Sequence, residues 1–252
     1  MTNETRSVVI TGGGSGIGYE IAKVLNDRGW QVHLVDLNAG GLASACDSLD
    51  IPRAQAHAAS VTDEEAIEAA IAKAASSAKL GALVNSAGTA IDRLAVDTSV
   101  EDFRRIVDVN LIGTFISARA AARHWLSANT PGAIVNISSA SGIMGSIGRS
   151  AYGSSKGAVN LLTKVLSTEL GGQNIRVNAV APGAIDTPLS RAVHTDDVRQ
   201  QWNDRIPQAR YGTVREVADT VAFLISDEAS YINGQVLAID GGFVSAGLAY
   251  HR

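Results

Sequence analysis

The chain has 252 residues, 46% hydrophobic, 18% charged and 5% aromatic, with a formal net charge of -4. That composition supplies a sizeable core and excludes a disordered chain. Without a basic block it also lacks the electrostatic footprint of a nucleic-acid binder, so a small molecule is the expected partner. A single cysteine, Cys46, excludes an intrachain disulfide or a cysteine-rich metal site.

The first residues are polar and lead into a five-residue apolar run, 7–11, far below the roughly 20 that span a bilayer. A soluble, cytoplasmic protein without a leader is therefore expected. Short β-branched runs then alternate with longer Ala-rich stretches of helical period. Strands are predicted over 8–11, 31–36, 54–58, 82–85, 133–138, 176–180 and 236–240, and helices over 16–28, 41–49, 63–77, 100–110, 111–127, 151–171 and 214–226. This is the pattern of an α/β chain with one doubly wound, Rossmann-like sheet of seven parallel strands and helices on both faces, a single domain over 1–252. Gly29 and the pair Gly171 and Gly172 are expected to end helices in the left-handed region. Asp63 and Ser99 stand at the head of acidic first turns. The segment 187–207 breaks the rhythm. It carries Val198, Trp202 and Ile206 at helical spacing and follows a strand's carboxyl end, where an α/β protein keeps a substrate lid.

Thr11-Gly12-Gly13-Gly14-Ser15-Gly16-Ile17-Gly18 joins the first strand to the first helix. Glycines there allow a tight turn and a close approach of backbone to a pyrophosphate resting on the helix N-terminus. Gly12, Gly16 and Gly18 are the expected contact or packing positions, although three residues separate the first two of them, unlike the commoner G-x-G-x-x-G spacing. Asp36 ends the second strand, where a carboxylate accepts hydrogen bonds from ribose hydroxyls and repels a 2′-phosphate. No Arg or Lys lies in the turn or beside Asp36, so the expected cofactor is NAD. Further on, Tyr152 and Lys156 stand four apart and share a helix face. An ammonium there would draw the phenol pKa down from about 10 toward working pH.

With the glycine turn, Asn85-Ser86-Ala87-Gly88, Asn110, Ser139, Tyr152, Lys156 and Pro182-Gly183 in order, and an ending Gly234-Gln235-Val236-Leu237-Ala238-Ile239-Asp240-Gly241-Gly242, the chain resembles the short-chain dehydrogenase/reductase family from about Val8 to Gly242. The resemblance implies that Tyr152 is the general acid/base, that Lys156 lowers its pKa and binds the nicotinamide ribose, that Ser139 holds the substrate oxygen, and that Asn110 ties the lysine to a water chain. It selects Ser139 over Ser138 and Ser141 because the family's serine precedes its tyrosine by thirteen positions; Ser141 would brace Ser139 or touch substrate. Cofactor contacts are implied at Gly12, Ser15, Gly16, Ile17, Gly18, Asp36, Ser60, Val61, Asn85, Ala87, Gly88, Tyr152, Lys156, Pro182, Gly183, Ile185 and Thr187. Two departures are visible, Ser60-Val61 in place of Asp-Val and Ser86 in place of a second asparagine; both bear on cofactor affinity.

The implied activity is an NAD-dependent interconversion of a secondary alcohol and a ketone, on a polyol, a sugar derivative or a hydroxylated ring. The rival is a non-catalytic NAD-sensing or scaffold protein on the same fold. Ser141, Ile143, Met144, Ile147, Ala184, Leu189, His194 and Trp202 are free to shape the pocket, and Arg149, Arg191 and Arg205 are candidates for an acidic substrate. His33, His57, His124 and His251 have no metal-ligand spacing, so no catalytic metal is expected. The helix 151–171 is apolar on more than one side, and the resemblance implies that it pairs between subunits in a homotetramer.

Overall fold

The computed structural model describes residues 5–247. In chain order it comprises β1 (Arg6–Thr11), α1 (Gly16–Asp27), β2 (Gln31–Asp36), α2 (Ala39–Leu49), β3 (Ala56–Ala58), α3 (Glu64–Ser77), β4 (Lys79–Asn85), α4 (Val100–Val107), α5 (Gly113–Ala128), β5 (Gly132–Ile137), α6 (Ser150–Leu170), β6 (Ile175–Pro182), β7 (Ile185–Asp186), α7 (Pro188–Val193), α8 (Asp196–Arg205), β8 (Gly212–Thr213), α9 (Val214–Ile225) and β9 (Val236–Ile239). Seven strands form one parallel sheet in the order β3-β2-β1-β4-β5-β6-β9. The order reverses between β1 and β4, which opens a crevice at their carboxyl ends.

Alternate side chains along each strand feed two cores. Val8, Ile10, Val32 and Leu34 pack with Ile21 and Leu25 of α1 and Val217 and Val221 of α9. Val9, Val35, Leu83 and Ile134 pack on the other face with Ile71 of α3, Trp125 of α5 and Leu166 of α6. Both faces being covered explains why the strands are nearly continuous apolar runs.

The doubly wound seven-strand sheet is as expected, and so are the Asp63 and Ser99 caps, which accept from Ala66 N–H (3.1 Å) and Asp102 N–H (3.0 Å). Several boundaries differ. β4 begins at Lys79 because the ring of Trp30 covers Gly81, a residue that weakens a strand by itself. The first part of the predicted strand 54–58 belongs to a 3-10 turn, Arg53–Gln55. Gly29 is left-handed (φ 81°), but Gly171 is helical (φ -59°) and the chain reverses at Asn174 (φ 57°) instead; an asparagine tolerates that conformation. The helices predicted to meet at 110 and 111 are α4 and α5, joined without a break through a π-helical turn, Asp108–Ile112. The segment after β6 holds α7 and α8 and is tied back by a two-strand parallel pair, Ile185 with Gly212 and Asp186 with Thr213. Among the described residues no helix is long and apolar enough to cross a membrane.

Candidate active site

The glycine turn is held by backbone on backbone. Gly12 N–H donates to the Val35 carbonyl (2.7 Å), and with φ 69° a Cβ there would lie 2.8 Å from the Ala87 backbone. A Cβ on Gly18 would run into the Gly12 carbonyl. Thr11 Oγ1 accepts from the N–H groups of Ser86 and Ala87, each at 3.2 Å, and so joins the turn to the end of β4. Ser15 is the N-cap of α1 but makes no side-chain cap bond, whereas Asn38, Asp63, Ser99 and Thr213 cap α2, α3, α4 and α9. The first-turn N–H groups of α1 therefore have no side-chain competitor for an anion, and a Cβ on Gly16 (φ 57°) would meet open space. Asp36 accepts from Gly14 N–H at Oδ2 (3.0 Å) and from Asn38 N–H at Oδ1 (2.9 Å). Each oxygen keeps an acceptor site for a ribose hydroxyl. This cradle fits the phosphates and adenosine ribose of a dinucleotide.

Ser60 Oγ lies 2.8 Å from Thr62 Oγ1 and accepts from Thr62 N–H (3.2 Å), forming a local turn after β3. Val61 is buried and would be struck by a Cβ on Gly113 at 2.5 Å, so it seats the start of α5. The Asn85 amide nitrogen donates to Asn136 Oδ1 (2.9 Å) and Asn136 donates to Thr163 Oγ1 (2.9 Å), a buried polar chain that braces β4, β5 and α6. The Asn85 side chain is thus committed inside the sheet, Ala87 packs partly buried against the core, and Gly88 lies against Asn110 and Lys156.

Tyr152 and Lys156 lie one turn apart on α6, with Lys156 Nζ 5.8 Å from the Tyr152 ring centre. Lys156 is buried and donates to the Ile137 carbonyl at the tip of β5 (2.7 Å); burial lowers its pKa to about 8. Ser139 follows that tip, stands beside the Tyr152 phenol closely enough to oppose its pKa rise, and accepts from Ser141 N–H (3.1 Å). Gly142 lets the loop lie on α6, since a Cβ there would fall 2.7 Å from the Lys156 backbone. The phenol does not follow the expected downward shift. Burial raises the Tyr152 pKa above its usual value, while the neighbouring Ser139 hydroxyl and the charge of Arg149 pull against it. The reason is that Lys156 is turned toward the Ile137 carbonyl, and desolvation of the phenolate is the larger effect.

Asn110 sits in the π-helical turn, a device that often marks a functional position. Its Nδ2 donates to the Thr89 carbonyl (2.9 Å) and Ser155 Oγ (3.0 Å), and its Oδ1 accepts from Thr89 N–H (2.8 Å). Rather than reaching Lys156 itself, the amide faces it across Gly88, where a Cβ would lie 3.2 Å from Asn110 Oδ1 and 3.4 Å from Lys156 Nζ. Asn110 and Lys156 thus border a common wall at Gly88.

Past β6, Gly183 N–H donates to the Ile239 carbonyl (2.9 Å), and a Cβ on it would strike Asp240. Pro182 and Ile185 are buried. Thr187 opens α7 with a capping box, accepting from Ser190 N–H (3.0 Å) and leaving its own proton available. Of the pocket candidates, Ile143, Met144 and Ile147 are exposed, Ala184 is buried, and Trp202 packs on Phe243 with ring centres 4.9 Å apart. The Leu189 side chain and His251 lie outside the described residues. Three participants escaped sequence reading: Thr11, Ser155 and Gly142. Each shows its part only through a contact with a distant segment, although Ser155 stands inside the Tyr152–Lys156 turn.

The histidines are not all isolated. His33 Nδ1 lies 3.3 Å from His57 Nε2, and His33 Nε2 lies 2.9 Å from Ser77 Oγ, which itself reaches the Ala74 carbonyl. That network assigns a neutral His33 accepting from His57. Burial first, then His57 and Lys73, lowers its pKa to about 4.

A phenol beside a hydroxyl and an ammonium, at the carboxyl edge next to a dinucleotide cradle, can exchange a proton with an oxygen while a hydride moves to or from a nicotinamide. A family model described as enoyl-(acyl carrier protein) reductase matches residues 12–244. The chain is 39% identical over 239 residues to galactitol 2-dehydrogenase (L-tagatose-forming) of Cereibacter sphaeroides, covering 93% of each protein. It superposes on a 3-oxoacyl-[acyl-carrier protein] reductase with bound NAD from Brucella melitensis with a TM-score of 0.87 and 35% identity, over 97% of this chain and 93% of that one. ElxO with NADP bound gives 0.88 and 31%, over 96% and 100%.

Proposed function

Because the chain belongs to the short-chain dehydrogenase/reductase family, we propose that this oxidoreductase interconverts a secondary alcohol and a ketone with NAD. The reading is supported above all by one cluster, the Tyr152 phenol beside Ser139 with Lys156 Nζ 5.8 Å from its ring. Bound nicotinamide supplies the hydride acceptor or donor. Oxidation converts carbinol and NAD to ketone, NADH and one proton. In that direction the Tyr152 oxygen takes the hydroxyl proton; in reduction it returns one to the ketone oxygen. Ser139 donates to the substrate oxygen and holds it beside the phenol, and Lys156 would bind the nicotinamide ribose. Asn110 positions the wall of this site through Gly88. With its pKa raised, the phenol keeps its proton at neutral pH, so alcohol oxidation should quicken as pH rises.

NAD is favoured over NADP because Asp36 stands where a 2′-phosphate would lie, and the neighbours that touch it are Gly14 and Asn38. Gly12, Gly16, Ile17 and Gly18 would hold the pyrophosphate with Ser15; Ser60 and Val61 would border adenine; Pro182, Gly183, Ile185 and Thr187 would border the carboxamide. The galactitol relative favours a polyol, a sugar derivative or a hydroxylated ring as substrate. Exposed Leu161 and Val165 on α6 support helix pairing in a homotetramer, and the segment 187–207 would act as the substrate lid. The test is NADH absorbance on mixing the protein with NAD and a panel of polyols, hydroxy acids and cyclic alcohols. Turnover of at least one is expected, and silence with every alcohol and ketone would favour a cofactor-sensing role.

A further inference from the structure

Arg149 precedes α6 and carries its guanidinium 5.7 Å from the Tyr152 ring centre. Its carboxylate neighbour, Asp92, is largely exposed and engages it at 3.3 Å. A guanidinium has five N–H donors in a fixed fork, so one distant oxygen leaves most of that fork available. Across from it, the lid segment brings a second cation. Arg199 lies over the Tyr211 ring at 4.3 Å, and the Tyr211 hydroxyl meets His194 Nδ1 at 2.9 Å. His194 feels both Arg149 and Arg199: burial and then these two charges lower its pKa, against a weaker pull from Asp92. Arg199 and Arg191 share Asp186, at 3.0 and 2.6 Å. Three guanidiniums thus face two carboxylates, Asp92 and Asp186, and of the three it is Arg149 whose charge the phenol feels.

Resting on the dehydrogenase reading above, we propose that the substrate carries a carboxylate or like-charged oxyanion close to its reacting carbinol, and that Arg149 receives it in place of Asp92. Arg199, held over Tyr211, adds to the attraction when the lid segment covers the site. The anion belongs a few bonds from the carbinol carbon, since the Arg149 guanidinium lies 5.7 Å from the Tyr152 ring centre and must meet the anion at charge-assisted hydrogen-bond distance while the hydroxyl meets Tyr152. Such a contact raises affinity for the acid and orients its carbinol.

The experiment compares hydroxy acids with their neutral primary amides of the same shape, 3-hydroxybutyrate with 3-hydroxybutyramide and 4-hydroxypentanoate with its amide, each with NAD. The acid should exceed the amide in kcat/KM by about tenfold to a hundredfold, mainly through KM. The advantage should shrink as sodium chloride rises, a readout that needs no variant. In Arg149→Met, which keeps the apolar stem, the acid-to-amide ratio should fall toward unity, and Arg149→Lys should recover part of it. Turnover of amides as good as that of acids, or a ratio indifferent to salt and to Arg149→Met, would overturn the proposal and leave the dehydrogenase reading standing. Silence of acids, amides and neutral alcohols alike would remove both.

Discussion

The two halves of the sheet's carboxyl edge are built by different means. On the dinucleotide side, backbone lies on backbone, Gly12 against Ala87 and Gly18 against the Gly12 carbonyl, and Gly14 N–H donates to the Asp36 carboxylate. On the substrate side, side chains hold side chains: Arg191 and Arg199 grip Asp186, Tyr211 meets His194, and Arg149 leans over Tyr152 toward Asp92. At Gly12 and Gly18 the turn tolerates no added atom, because the facing groups are backbone and cannot give way. A polar lattice of exposed and half-buried groups accepts new charge or shape at modest cost. One fold can thus keep its cofactor while its substrate side changes.

The largest effect that tests this division is on turnover. Tyr152→Phe should lower kcat by about 10²–10⁴-fold, while titration calorimetry still detects NAD; full turnover would remove the phenol from the chemistry. Next comes the cradle. Gly12→Val should abolish detectable NAD binding and cost about 1–3 kcal/mol of stability in urea unfolding, since its Cβ alone meets Ala87. Normal NAD binding in that variant would show that the turn is softer than its contacts. A smaller effect is expected for Asp36→Ala, which should raise the NADP-to-NAD ratio of kcat/KM about tenfold by removing acceptors and repulsion. An unchanged ratio would take Asp36 out of cofactor choice.

The smallest effect separates the halves by acid. His33 on β2 has its folded pKa near 4, below the 6.5 of an unfolded histidine. Its contribution is complete above pH 6.5 and is lost as pH falls through 4, on the order of 3 kcal/mol. Asp186, held near 2 by Arg191 first and then Arg199, keeps its ion pairs over that whole window. Hydrogen exchange at pH 4.5 should therefore loosen β2 and β3 before the segment around α7 and α8, and His33→Leu should flatten thermal stability between pH 6.5 and 4. Loosening of α7 and α8 first would reverse the assignment.

Much of this was legible because it is local. The Tyr152–Lys156 interval is one helical turn whatever surrounds it, the glycine turn follows from residue type between a strand and a helix, and apolar runs separated by helical periods require a covered parallel sheet. Asp36 was legible for the same reason, as an acid at a strand tip. Other features needed residues far apart to meet. The π-helical turn at Asn110 is stabilised by Thr89 and Ser155, the extra pair β7 and β8 by a return of the chain 25 residues or so later, in the manner of a long closed loop, and the His33–His57–Ser77 cluster by three separate elements. The direction of the Tyr152 shift is of this second kind. Spacing alone put an ammonium beside a phenol and argued for a lower pKa, but folding buried the phenol and turned Lys156 to the Ile137 carbonyl. Periodicity and backbone freedom travel with the chain, so the sequence by itself determined the sheet, the glycine turn and the Tyr152–Lys156 spacing. Desolvation and long-range charge depend on what packs alongside, so only the tertiary structure decided how that pair titrates and which cation leans over it.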